Sequence, residues 1–366
     1  MRLFDTDQCP IGIDLGAHSI RVLQFRRSGE KEGGGAGPLA LQGACRVELQ
    51  QTSAEVRVKT ALEQALEMGS FSGKNVVLAL PAASVQSKSV RLPQMPDSDL
   101  DQALQWEAKE RFGFELADGK LAWFRAGEVR RGTEVKDELL LFAARGETLS
   151  APIAAATALG LKVAAIDLAP CAAYRACKRV AGPELMSIVD IGQGGSQFMM
   201  TRNGELVFYK HIDIGGRTIN EAVAQKLGIS LAEAANLRFR LDEPGAEAAE
   251  GMAGESAPLN QALRDAVRTP LEELARELDM CMRYFAVTFR GTRPDVIHLV
   301  GRQADLPQVG SILSAALGVR MEAAQPLRGV AELGDVARPD RSAEWAVAAG
   351  LSLYPVSARA RREEAA

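Results

Sequence analysis

Residues 11–23 read IGIDLGAHSIRVL and residues 187–200 read SIVDIGQGGSQFMM, and these two stretches decide the fold. In each, an apolar run ends in Asp-x-Gly, a turn of small residues follows, and a second run begins, which is the pattern of a β-hairpin. Asp14 corresponds to Asp190, and Gly16 to Gly192. Such a repeat predicts two related domains that face each other across a cleft, with chance similarity as the alternative.

The composition excludes several classes of protein. Of the 366 residues, 47% are hydrophobic and 25% are charged, which is typical of an ordinary globular chain with two or three domains and not of a disordered or fibrous one. The formal net charge is −4, so no global positive field attracts nucleic acid or acidic lipid. Nucleic-acid binding is therefore not expected.

Cysteine and histidine usage bears on the compartment and on metals. The five cysteines include no Cys-x-x-Cys pair, and their odd number argues against a disulfide framework and favours a reducing cytoplasm. None of the three histidines has zinc-ligand spacing, so no structural metal is predicted. No signal peptide is recognised, and no apolar window approaches the roughly 20 residues that span a bilayer. We therefore expect a cytoplasmic chain without a membrane span.

The region between the two hairpins predicts an insertion. Within it, a helix over 100–112 precedes two strands, near 121–126 and 138–144, that flank the charged turn RRGTEVKDE. We expect an α/β chain of two domains with an inserted α+β subdomain. The predicted boundaries are 1–83 with 162–186 for the first domain, 84–161 for the insertion, 187–353 for the second domain with a helical subdomain at about 216–290, and 354–366 for a tail.

Two helix starts in the second half have clear local signals. Ser230 and Glu233 have the spacing of a capping box. Thr269-Pro270-Leu271-Glu272 offers an N-cap threonine, a first-turn proline and an acidic residue that can reach back, so a helix is predicted to begin there. Residues 242–258 are acidic and rich in Ala, Gly and Pro, which predicts a linker.

The two Asp-x-Gly hairpins are the best candidate for chemistry. Gly16 and Gly192 allow close approach of a ligand, and the turns after them present N–H groups that can hold phosphate. An aspartate at each strand end could hold hydrated Mg²⁺ or orient water. The alternative is that both are ordinary hairpin turns. Two other motifs fail: residues 69–75 are one residue short of a P-loop and lack its Ser or Thr, and Ser196 lacks the glycine pattern of a hydrolase nucleophile.

These stretches, with three others, resemble the actin-like ATPase superfamily. Residues 11–23 resemble its first phosphate loop, 189–216 its second phosphate loop with the following strands, and 299–313 its adenosine segment. Residues 269–285 resemble the family helix beside the adenine. Residues 92–114 resemble the inserted subdomain that the PilM family shares with the cell-division protein FtsA, and their Trp-Glu-Ala helix is closer to PilM.

The resemblance implies a duplicated, ribonuclease H-like fold that binds ATP with Mg²⁺. One side of the phosphate would be held by Asp14, Gly16, Ala17, His18 and Ser19. The other side would be held by Gly192, Gly194, Gly195 and Ser196. Asp190 would face the metal, with Asp14 as the second carboxylate near it, and Asp190 is the candidate catalytic residue. The nucleoside would be lined by Gly215, Gly216, Arg238, Glu273, Arg276, Gly301 and Arg302.

The resemblance also implies a role in type IV pilus assembly. The chain would be a cytoplasmic component of the inner-membrane platform, peripheral to that membrane, that supports twitching motility and docks the N-terminal cytoplasmic peptide of a PilN-like membrane protein in a groove beside the inserted subdomain. Pilus assembly ATPases and further copies of the chain are additional partners it leaves open, and a related secretion system is an alternative machine. As an enzyme, the chain would be at most a weak ATPase.

Three departures from the family pattern bear on ATP. Arg302 and Gln303 follow Gly301 where consecutive glycines are usual and would crowd a base, Ala235 and Arg238 stand where Glu and Lys are usual, and His18 replaces a small residue. A nucleotide-free scaffold therefore stays open. A small-molecule phosphotransferase of the acetate or sugar kinase type, with Asp190 or Asp14 as base, is the competing class, and a polymerising filament is a third.

Overall fold

A computed structural model describes residues 8–27, 38–50, 53–114, 119–131, 133–179, 184–241, 256–289, 291–334, 336 and 341–355. The described residues group into two compact units. The first unit draws on Met1–Pro183, Glu205–Val207 and Gln325–Ala366, and the second on Glu184–Gly204 and Phe208–Ala324. The predicted linker lies largely outside the described residues, and so does the predicted tail apart from its first two positions.

The first unit is built on a five-stranded mixed sheet. Its strands are β1 (Ile11–Leu15), β2 (Ser19–Arg27), β3 (Leu39–Glu48), β4 (Asn75–Ala79) and β8 (Lys162–Asp167), in the order β3-β2-β1-β4-β8. The pairs β1–β2 and β2–β3 are antiparallel, whereas β4 runs parallel to both β1 and β8. Four of the five residues of β1 are buried, and Asp14 is partly buried, as expected for a central strand.

Helices cover this sheet. They are α1 (Ala54–Met68), α3 (Gly146–Ala158), α4 (Ala169–Lys178) and α9 (Ala346–Ser352). Close approach of α9 depends on glycine at two points: a Cβ at Gly12 would overlap the carbonyl oxygen of Ala348, and a Cβ at Gly350 would overlap that of Ala172. Glycine thus allows α9 to contact both β1 and α4 through backbone atoms.

A three-stranded antiparallel sheet lies between β4 and β8 in the sequence, in the order β5-β7-β6. Its elements are β5 (Gln86–Pro93), α2 (Asp97–Phe112), β6 (Lys120–Arg131) and β7 (Glu134–Ala144). The inward face of α2 packs against the sheet in one apolar cluster. The predicted charged turn is wrong in extent, because β6 continues to Arg131 and β7 begins at Glu134, and the register pairs these two residues.

The second unit repeats the strand order of the first. Its sheet consists of β9 (Leu185–Ile191), β10 (Ser196–Arg202), β11 (Glu205–Ile212, which belongs to this unit from Phe208 on), β12 (Val296–Val300) and β13 (Arg320–Ala323), in the order β11-β10-β9-β12-β13. The pair β9–β10 is antiparallel, and β12 runs parallel to β9 and β13. Each five-stranded sheet thus begins with an antiparallel hairpin and continues with two parallel strands.

The helices of the second unit are α5 (Gly216–Leu227), α6 (Leu231–Leu241), α7 (Ser256–Phe289) and α8 (Pro307–Leu317). The predicted capping box is confirmed: the Glu233 amide donates to Ser230 Oγ at 3.2 Å, and the Ser230 amide donates to Glu233 Oε2 at 2.8 Å. These reciprocal bonds satisfy amides that the first turn of α6 would otherwise leave unpaired.

The predicted helix start at Thr269 is wrong. Pro270 lies inside α7, which begins at Ser256, the residue where the predicted linker was still expected to continue. Buried residues precede and follow the proline, among them Val267 and Leu271, each 0% exposed. Packing along both halves of the helix therefore outweighs the hydrogen bond that proline removes. The domain boundaries predicted from the sequence remain predictions.

Candidate functional site

The turn between β1 and β2 carries the first predicted phosphate loop. The Gly16 amide donates to the Ser19 carbonyl at 3.0 Å, and the Leu49 amide donates to the His18 carbonyl at 2.8 Å. Ala17 and His18 are exposed at the tip, whereas Ser19 is buried at the start of β2. The predicted residues of this loop therefore lie together in the first unit.

Asp14 is the largely buried carboxylate at the base of this loop. Its strand neighbour Arg21 places Nη1 3.3 Å from Asp14 Oδ2, while Nε lies 3.4 Å from Glu344 Oε2. Arg46 Nε adds a second cation 3.7 Å from the same Glu344 oxygen. Burial raises the pKa of Asp14 above its ordinary value, and the Arg21 charge partly offsets that rise. The carboxylate thus belongs to a row of alternating charges across three strands.

The turn between β9 and β10 carries the second predicted phosphate loop, and it closes as the first one does. The Gly192 amide donates to the Gly195 carbonyl at 3.0 Å. Ser196 Oγ donates to the Ile214 carbonyl at 2.6 Å, so this hydroxyl anchors the loop. A Cβ at Gly195 would lie 2.8 Å from the Ile212 carbonyl oxygen, which excludes larger residues there.

The second loop is also bonded to the start of α5. The Gly216 amide donates to the Gly192 carbonyl at 2.9 Å, and the Arg217 amide donates to the Gln193 carbonyl at 2.8 Å. In a trans peptide the C=O and the following N–H point in opposite directions. The N–H groups of Gln193 and Gly194 are consequently directed away from α5, the arrangement of an anion-binding turn.

Asp190, the residue before the end of β9, lies beside Gly301. Gln197 Nε2 lies 3.4 Å from Asp190 Oδ2, and the Tyr209 hydroxyl donates to Gln197 Oε1 at 2.8 Å. Gly301 has a φ of +85°, and a Cβ there would lie 2.5 Å from Asp190 Oδ1. Both the backbone conformation and the space around it therefore require glycine at position 301.

The predicted nucleoside residues differ in burial: some are buried, Gly301 and Arg302 are half-buried, and two are exposed. Arg238 is 0% exposed, with Nη1 donating to Asn220 Oδ1 at 2.5 Å and Nη2 to Gln303 Oε1 at 2.7 Å. Gly215 and Gly216 are buried at the start of α5, and the Arg302 guanidinium lies 4.0 Å from the centre of the Phe239 ring.

The two predicted nucleoside residues on α7 are exposed. Arg276 Nη2 lies 3.8 Å from Glu273 Oε1, which is a weak surface ion pair.

Magnesium has two candidate carboxylates, Asp14 in the first unit and Asp190 in the second. Within the described ranges, no group of three Asp, Glu, His or Cys side chains could hold a metal ion by itself. A single carboxylate suits Mg²⁺ that keeps most of its waters and is held mainly by phosphate oxygens. The residues therefore fit a magnesium ion that arrives with a nucleotide, and its binding stays a prediction.

Sequence reasoning missed two side chains that define these sites, Arg21 and His211, and missed the buried hydrogen bond of a third, Gln303. Arg21 could have been found from the hairpin register, because the residue opposite Asp14 shares its face of the sheet. His211 lies against the second loop, where Nε2 would be 3.0 Å from a Cβ at Gly195. The role of Gln303 has no local signal, since it depends on Arg238, 65 residues away along the chain.

The repeated five-stranded sheets, the paired Asp-x-Gly turns and the inserted sheet define an actin-like protein, so the fold class predicted from the sequence is confirmed. The chain belongs to the family of the type IV pilus assembly protein PilM, whose model matches residues 12–355. The resemblance inferred from the sequence motifs is therefore confirmed.

Solved structures agree in fold. The chain is similar to a PilM–PilN type IV pilus biogenesis complex, with a TM-score of 0.75 and 21% identity over 94% of this chain and 97% of that chain. It is also similar to the ethanolamine utilization protein EutJ from Carboxydothermus hydrogenoformans, with a TM-score of 0.53 and 14% identity over 94% and 89%. A third similar structure is MreB 5 of Spiroplasma citri bound to AMPPNP, with a TM-score of 0.51 and 10% identity over 99% of this chain and 100% of that chain. Among the described residues, no helix is long and apolar enough to span a membrane.

Proposed function

We propose that the chain is an actin-like scaffold of type IV pilus assembly, cytoplasmic and peripheral to the inner membrane, that docks the N-terminal peptide of a PilN-like membrane protein and binds ATP. The observation that carries the proposal is the pair of identically closed turns, 16–19 and 192–195, in a chain of the PilM family. A solved PilM that shares this fold is in complex with PilN, which supports a partner of the same kind here.

The phosphates of ATP are proposed to contact backbone N–H groups of the second turn. Two adjacent N–H groups, those of Gln193 and Gly194, point the same way, and the α5 helix behind them adds a favourable dipole. Asp190 would hold Mg²⁺ through water, and the ion would neutralise phosphate charge. Asp14 and the 16–19 turn would play the corresponding part in the first unit.

The partner peptide is proposed to contact the inserted subdomain, predicted over residues 84–161, through Trp106. This side chain is 73% exposed on α2, on the face opposite the cluster that packs against the sheet. Tryptophan is enriched among the residues that dominate binding energy at interfaces. The α2 helix therefore offers a ready contact for an apolar residue of the peptide.

Calorimetric titration of the full chain with ATP and Mg²⁺ tests the nucleotide part. We expect saturable binding in the wild type, and at least about a tenfold loss in Gly195→Ala, because an added Cβ displaces the backbone of the turn. Gly310→Ala is the matched control, since a Cβ there meets only Leu299 Cδ1 at an ordinary 3.6 Å. Absence of ATP binding in the wild type would contradict this part of the proposal.

Titration with a synthetic N-terminal peptide of the PilN-like protein from the same genome tests the partner. Trp106→Ala is expected to weaken peptide binding by at least about tenfold, as removal of a central interface tryptophan does. Met68→Ala removes a comparably exposed side chain, 65% accessible on α1, and should leave the affinity unchanged. Equal affinities for wild type and Trp106→Ala would place the peptide elsewhere.

A further inference from the structure

The space beside Gly216 is filled by two side-chain amides of the chain itself. A Cβ built at Gly216 would lie 2.5 Å from Gln193 Oε1 and 2.6 Å from Gln303 Nε2. A glycine at a turn usually permits close approach of a ligand to the backbone. At Gly216 these two side-chain amides already occupy the space that a ligand would need. The glycine therefore makes room for the chain's own side chains.

Gln303 is fixed in this place by buried hydrogen bonds. Its Oε1 accepts from Arg238 Nη2 at 2.7 Å, and Arg238 Nη1 donates to Asn220 Oδ1 at 2.5 Å. These three side chains are at most 4% exposed. Separating a buried guanidinium from its acceptors is costly because water cannot replace them. Gln303 therefore does not move aside without a substantial loss of stability.

Arg302, the residue before Gln303, makes a second contact between the 3-10 helix and α6. Arg302 and Gln303 belong to the short 3-10 helix Arg302–Asp305, and Phe239 follows Arg238 on α6. The Arg302 guanidinium lies 4.0 Å from the centre of the Phe239 ring, within the range of a cation–π contact. Consecutive residues of the 3-10 helix thus bind consecutive residues of α6.

The phosphate turn of the same unit is not filled in this way. No described atom lies within 4 Å of a Cβ built at Gly194, and Gly194 is exposed. The N–H groups of Gln193 and Gly194 are directed away from α5, as the carbonyl bonds to Gly216 and Arg217 require. An anion can therefore reach this turn while the space beside Gly216 stays occupied.

We propose that Gln303 occupies the place of the nucleoside, so that the second unit binds a nucleotide through its phosphates and does not distinguish its base. Gln303 is then the specificity-determining residue, and Arg238 is a positioning residue that acts through it. The inference rests on the proposed function and on the nucleoside position that the family resemblance implies, beside Gly215, Gly216 and Gly301.

A ligand series on the wild-type chain tests this inference. ATP, GTP and inorganic tripolyphosphate are titrated by calorimetry in the presence of Mg²⁺. We expect the three Kd values to agree within about threefold, because a base without contacts adds no binding free energy. If ATP binds at least about tenfold more tightly than both others, the base is read and the inference is overturned while the proposed ATP binding stands. If none binds, both fall.

Gln303→Gly provides the second arm, because it restores a small residue beside Gly216. The variant is expected to bind ATP about tenfold more tightly than tripolyphosphate, as a newly opened nucleoside pocket would give. Gln308→Ala, on α8 five residues further on, is the matched control and should keep the wild-type ratio. A Gln303→Gly variant that melts cooperatively but keeps the wild-type ratio would overturn the inference.

Discussion

Arg21 lies directly opposite Asp14 in the β1–β2 hairpin, with its Nη1 3.3 Å from Asp14 Oδ2. Gln197 has the same relation to Asp190 in the β9–β10 hairpin, with its Nε2 3.4 Å from Asp190 Oδ2. The duplicated hairpins thus set two carboxylates at equivalent points and give them different donors, a cation in one and an amide in the other.

Asp14 is expected to make stability depend on pH. Its pKa is raised in the folded chain, so between the ordinary value and the raised value the folded chain holds a proton that the unfolded chain has released. Stability therefore falls as pH rises through that window. In urea unfolding from about pH 4 to 7, the wild type should lose stability relative to Asp14→Asn as pH rises.

Arg21→Met should extend that loss to higher pH, because removal of the guanidinium removes the group that lowers the pKa of Asp14. A difference between wild type and Asp14→Asn that does not change with pH would contradict the assignment of Asp14 as the titrating group.

Gly350→Ala is expected to destabilise the first unit by about 2 kcal/mol or more, because the new methyl group would overlap the Ala172 carbonyl and push α9 away from α4. Chemical unfolding measures the effect. In the second unit, Gly310→Ala introduces the same methyl group into helix α8 without a clash, and should be neutral or stabilising by up to about 1 kcal/mol. Similar values for the two variants would show that the contact of α9 with α4 relaxes freely.

Pro270→Ala is expected to stabilise the second unit. The substitution restores an amide that can donate to the Ala266 carbonyl, and an interior proline costs about 3 kcal/mol relative to alanine, from which the lost packing of the buried ring must be subtracted. We expect a net gain of about 1 kcal/mol in unfolding experiments. Pro307→Ala, at the first position of α8, should change little because proline is well tolerated there. A loss of stability in Pro270→Ala would show that ring packing dominates.

Arg238→Lys should destabilise the second unit although the charge is kept. One ammonium group cannot reproduce the fork that reaches both Asn220 and Gln303, and the lost hydrogen bond together with the unpaired amide is expected to cost about 2–3 kcal/mol. Arg240→Lys, on the exposed side of the same helix, is the control and should unfold like the wild type. Equal stabilities of Arg238→Lys and the wild type would contradict the role of the buried fork.

The repeat could be predicted from the sequence because its signal is local. Asp14 and Asp190 each precede a glycine that a tight hairpin needs, and apolar runs flank both. The start of α7 could not be predicted, since Thr269 and Pro270 have the residue types of a helix start and only packing before and after them keeps the helix continuous. The place of Arg238 was equally hidden, because no local pattern shows that an arginine on α6 has buried acceptors on α5 and near β12.

The chain enters and leaves the inserted three-stranded sheet at neighbouring positions. Gln86, the first residue of β5, pairs with Ala143, the residue before the end of β7. A segment that leaves and rejoins its host at neighbouring points can lengthen, shorten or be exchanged by recombination without moving β4 or β8. The region proposed to choose the partner can therefore diverge between lineages faster than the duplicated framework that carries it.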